Sequence, residues 1–187
     1  INSSTGGLVG SSYKVNYLKN DYIASTATIK APKNVGGLIG LSQSDIVTES
    51  IIEANLVINS DGYTNYGGAI GKINISVDNE VSLLTESYIK SNISAESGST
   101  SSHQIGGAVG SVELSATSTC SALLKNNKIE TLIHSNGYDH GGLVGFENIT
   151  NAANIANYSH NLIYAQIQEA NLLSSNGFKG GLIGTSA

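Results

Sequence analysis

The chain has 187 residues, enough for one domain with a substantial core, and carries a net charge of −5 with a pI near 5.2. Only 12% of its residues are charged, about half the usual share, so Ser, Thr and Asn must solubilise the surface. These residues suit β-rich surfaces and turns better than helix interiors. Basic residues are scattered, which argues against nucleic-acid binding, and no apolar run approaches the roughly 18 residues of a membrane span.

Methionine is absent, so the chain is expected to be a processed or excised piece of a longer protein; no signal-peptide pattern is present. Cys120 is alone, cannot form an internal disulfide, and reads as a small buried or half-buried apolar residue. Cysteine poverty is compatible with export.

In chain order, the motif Gly-Gly-(Leu/Ala)-(Val/Ile)-Gly occurs six times. The first three copies are Gly6-Gly7-Leu8-Val9-Gly10, Gly36-Gly37-Leu38-Ile39-Gly40 and Gly67-Gly68-Ala69-Ile70-Gly71. The last three are Gly106-Gly107-Ala108-Val109-Gly110, Gly141-Gly142-Leu143-Val144-Gly145 and Gly180-Gly181-Leu182-Ile183-Gly184. They start 30, 31, 39, 35 and 39 residues apart, within the range of solenoids and arrays. The glycines permit sharp turns and close backbone approach. The β-branched fourth position predicts an inward stack, and the third, Leu or Ala, fills a looser space.

Each unit then holds an alternating segment, opened by Ile23, Ile52, Ile89, Ile129 or Ile163. Two residues on stand Ser25, Ala54, Ser91, Thr131 and Ala165; two further, Ala27, Leu56, Ile93, Ile133 and Ile167. Period 2 marks a strand with one buried face, and the small column leaves room for something opposite. Outward positions Glu53, Lys90 and Glu130 would form a ladder of alternating charge in adjacent coils. Corners follow at Ser60-Asp61-Gly62-Tyr63, Ser135-Asn136-Gly137-Tyr138 and Ser175-Asn176-Gly177-Phe178, with length variation absorbed in loops such as 97–104. The helix-tolerant stretches 121–130 and 162–172 are read as strand-bearing.

The pattern predicts an all-β chain, one β-solenoid (β-helix) region over 1–187 with about five coils of two or three short strands. Each coil has a glycine-motif strand and an alternating Ile strand. The coils run over about 6–35, 36–66, 67–105, 106–140 and 141–179, with a partial coil at 180–187. The glycine copies, each followed by a Ser/Asn-rich stretch and the alternating segment, resemble the GLUG-motif repeats of large surface proteins. That resemblance covers essentially the whole chain. It implies a β-solenoid from an adhesin-like exoprotein, or from the non-catalytic part of a secreted peptidase, and carries over no catalytic residues.

Other chemistry is poorly supported. A P-loop needs Lys and Ser/Thr after its last glycine, but Gly71-Lys72 runs into Ile73. The calcium nonapeptide Asp is missing from all six copies. Asp61, Asp78, Glu80, Glu86, Asp139 and Glu147 fall in different corners, and His103, His134, His140 and His160 share no ligand spacing. His140 reads as a surface-turn residue. Sequons at Asn2, Asn74, Asn92, Asn148 and Asn157 are near chance frequency and matter only in a secreting eukaryote. Ice binding would demand an outward Thr array, and only Thr26 and Thr28 supply a pair. Tyr63, Tyr138 and Phe178 either stack on sugar rings or cap the corners.

The expected role is a structural or adhesive spacer, stalk or filament-forming unit, extracellular or on the cell surface, without enzymatic activity or cofactor. Its expected partners are flanking coils or like chains end to end, and host or matrix proteins or glycans. Nucleic acid and membrane insertion are not expected. The alternatives are the non-catalytic solenoid of a secreted enzyme, or a carbohydrate-binding solenoid.

Overall fold

The computed structural model describes residues 4–14, 16–24, 28–31, 33–58, 63–95, 103–135, 139–168 and 178–187. Ser25, Ala27 and the turn sequences at 60–62, 136–138 and 175–177 lie outside them. Among the described residues the chain forms 23 β-strands and no helix. These strands make four parallel sheets of six, six, five and six, visited in turn, which is a solenoid-like arrangement. The six of the fourth sheet include a short strand, Thr28–Ala31, which pairs with Ile51–Ile58.

The third turn of the chain illustrates the unit: Thr64–Gly67 in the first sheet, Ile70–Ile75 in the second, Val81–Thr85 in the third and Tyr88–Ala95 in the fourth. Four short strands per coil therefore replace the expected two or three. The glycine motif, expected as one strand, is a corner: its first glycine ends one strand and its Val or Ile opens the next. The stretches around 121–130 and 162–168 are strands, Ser121–Lys125, Lys128–His134 and Leu162–Gln168.

Register follows the glycines. Gly36 pairs with Gly6 and Gly67, Gly106 with Gly67 and Gly141, and Gly141 with Gly180. The alternating segments also stack residue on residue, with Ile89 between Ile52 and Ile129 and Ser91 between Ala54 and Thr131.

The glycines are needed because the corner folds inward. A Cβ on Gly67 would stand 2.6 Å from the Gly110 nitrogen, and one on Gly71 2.5 Å from the Val35 nitrogen. The first two sheets thus lie backbone against backbone. A Cβ on Gly68, at the tip, would stand 2.7 Å from Ser91 Oγ and 2.9 Å from Ile89 Cγ2. What the small column leaves room for is this tip.

The wedge divides the interior. On one side Ile70, Ile73, Leu84 and Ile89 belong to the larger apolar cluster; on the other, Tyr66, Leu56, Ile93 and Ile105 form a smaller one. All are fully buried, each contributing about 1.5–3 kcal/mol before entropy is counted. At the motif's third position Leu8 and Leu182 of the end copies are exposed, while Leu38, Ala69, Ala108 and Leu143 are as buried as the fourth. Their carbonyls anchor the corner: the Ala69 and Ile70 nitrogens both donate to Ala108 O, at 2.9 and 3.0 Å.

The turn from third to fourth sheet is held differently. Asn20, Glu49, Glu86, Asn126 and His160 have φ between 52° and 59° there, an uncommon conformation for residues with a Cβ. The next residue in each coil makes an unbroken ladder. The backbone nitrogens of Asp21, Ser50, Ser87 and Asn127 donate to Ser50 Oγ, Ser87 Oγ, Asn127 Oδ1 and Asn161 Oδ1, at 3.0–3.3 Å. Asn127 Nδ2 donates back to Leu84 O at 2.9 Å, and Asn161 Nδ2 to Leu124 O at 2.8 Å.

Candidate ligand groove on the fourth sheet

The period of a strand sends alternate side chains outward, and on the fourth sheet two such rows flank a shallow groove of about 630 Å³. Its floor follows Ala54, Ser91, Thr131 and Ala165, whose side chains turn inward to the wedge tip or its level. Glu53, Lys90, Glu130 and Tyr164 form one wall. Asn55, Asn92, Leu132 and Gln166 form the other.

The expected charge column is in the expected register, but its ion pair is not the expected one. Glu130 is held from its own strand by Lys128 Nζ at 2.6 Å, and it accepts from Tyr88 Oη at 2.9 Å. These two hydrogen bonds, Lys128 first, hold the Glu130 carboxyl below its ordinary range. Lys128 is raised in turn by Glu130, and its ammonium lies 5.1 Å from the centre of the Tyr88 ring. Partial burial and the Glu130 bond push the Tyr88 phenol up.

Other singled-out residues do not converge here. Tyr63 is exposed and accepts from Gln104 Nε2 at 2.5 Å. Phe178, also exposed, stands in the column of Asp139 and Gln104, so it does not continue the row of Tyr63. Tyr138 and Asn2 lie outside the described residues. Asn74, Asn148 and Asn157 are half-buried within strands, and Asn92 is exposed inside the groove.

His140 is not a surface residue. It aligns with Ile105, points inward and is fully buried, with neither ring nitrogen hydrogen-bonded. Burial first, then Lys179 and His103, lower its pKa to about 4. His103 is buried too, with Nδ1 2.5 Å from Thr64 Oγ1. Glu147 also turns inward, at the level of Val112, and accepts from Ser186 Oγ at 2.9 Å. Cys120 is buried, as expected, and burial raises its thiol pKa. No group of three or more His, Cys, Asp or Glu could hold a metal among the described residues.

Sequence reasoning missed the ladder at Asp21, Ser50, Ser87, Asn127 and Asn161. The signal was a small hydrogen-bonding residue always two positions before the alternating Ile. No family model, curated protein or solved structure matches this chain.

Proposed function

We propose that this chain is a β-solenoid segment of the GLUG-motif kind, serving as a stiff structural and adhesive element outside the cell. Supporting this is the continuity of its stacking, in which backbone, corner amides and side-chain columns repeat coil on coil in four sheets. Stacked strands about 4.8 Å apart make a rod that lengthens with every added coil. Such an element resists bending because every coil is hydrogen-bonded to its neighbours, and it presents a repeated outer face to a partner.

The test is antibody labelling of intact and permeabilised source cells. Labelling of intact cells is expected. Signal only after permeabilisation would overturn the extracellular reading.

A further inference from the structure

We infer that the outer groove of the fourth sheet binds an uncharged linear oligosaccharide lying along the stacking axis, a reading that rests on the adhesive function proposed above. The groove's volume of about 630 Å³ falls in the range of small-molecule sites. It crosses four successive coils, so an extended ligand can lie along the stacking axis.

The chemistry of the walls selects among polymers. Lys90 sits between Glu53 and Glu130 in register and makes no ion pair within 4 Å among the described residues. Opposite charges so close give a polyanion or polycation no face of one sign to bind. Asn92 and Gln166 are exposed amides, each with two donors and an acceptor. Hydroxyl groups, which both donate and accept, match them, and Glu130 adds acceptor oxygens already fixed by Lys128 and Tyr88. Tyr164, a residue 57% exposed, stands at one end and offers the flat face of its ring to a sugar. Tyr88 is not available in that way, because Lys128 covers it.

A peptide fits less well. Tyr88–Ala95 and Lys128–His134 are hydrogen-bonded on both sides, so a strand added by β-augmentation could reach only the groove's end at Leu162–Gln168, not its middle. Its floor is backbone and small side chains, without a deep apolar pocket for an anchor residue.

The test is ¹⁵N NMR titration of the chain with cello-, chito-, xylo- and mannohexaose, and with hexagalacturonate and a chitosan hexamer as charged comparators. At least one uncharged hexamer is expected to bind with Kd of about 1 mM or tighter, shifting the amides of Asn92, Glu130, Tyr164 and Gln166. Tyr164→Ala and Gln166→Ala, checked for folding by circular dichroism, should each weaken it about tenfold. Asn92→Arg, exposed at mid-groove, is a second block that leaves the core untouched. The assignment is overturned if no uncharged hexamer binds at about 10 mM, if a charged one binds tighter, if the shifts map elsewhere, or if folded variants bind unchanged. Failure here with intact cells still labelled removes only the groove assignment; binding with label confined to permeabilised cells removes only the extracellular reading.

Discussion

Gly68 and Ser91 face each other across the interior, so closely that a Cβ on the glycine would stand 2.7 Å from the serine hydroxyl oxygen. The same atom would overlap the Gly107 carbonyl, which is backbone and cannot swing away. Gly68→Ala should therefore lower stability by roughly 3 kcal/mol, read as an earlier urea midpoint. Gly181 holds the equivalent motif position, yet among the described residues nothing lies within 4 Å of where its Cβ would be. Gly181→Ala should stay within about 0.5 kcal/mol of wild type. Equal effects at the two sites would contradict the wedge packing.

Asn127 is the best-connected rung of the corner ladder. Its Nδ2 reaches Leu84 O and Asn161 Oδ1, both at 2.9 Å, while its Oδ1 accepts from the Ser87 nitrogen at 3.1 Å. Asn127→Ala would leave a buried donor and a buried acceptor unpaired, at about 2–4 kcal/mol. Hydrogen exchange at the Ser87 amide should accelerate more than elsewhere in its coil, and unchanged protection there would refute the ladder's role.

His140 makes stability depend on acid. Its folded pKa, lowered to about 4 from 6.5, means that the unfolded chain takes up the proton first as pH falls. Stability is therefore intact above about pH 6.5 and is lost progressively towards pH 4, by about 3 kcal/mol for this group. His140→Ile, matching Ile105 in the same column, should flatten denaturation midpoints between pH 7 and 4.5. A variant as acid-sensitive as wild type would assign the loss to other groups.

Glu130 should titrate below an ordinary glutamate because Lys128 and then Tyr88 hydrogen-bond its charged form. Carboxyl ¹³C titration should show this, and Lys128→Met should move the midpoint back up. Since the pair is exposed to water, added salt should shrink the shift.

The repeat was legible because glycine and the Ile-small-apolar alternation each reflect a single steric demand. Glycine copies aligned in sequence are aligned in the sheets, and Ile52, Ile89 and Ile129 stack as their period requires. The third sheet was harder to see, because strands such as Ile46–Thr48 and Val81–Thr85 are short and differ in composition. The left-handed corner was invisible for a different reason. Asn20, Glu49, Glu86, Asn126 and His160 share a backbone angle but no side-chain type, since the following ladder residue holds them there. The groove was half legible: its charge column was in register, but Lys128, which fixes Glu130, lies on the same strand and outside any column-wise comparison.

The inward corner has an evolutionary consequence. Its fit depends on hydrogen atoms where side chains would be and on backbone groups common to every residue, so one copy meets another without a matching shape of its own. Gene duplication or recombination at this joint can add or delete a turn without redesigning its neighbours. The columns of the outer face stay free to diverge, and new specificities can arise there while the joint is inherited unchanged.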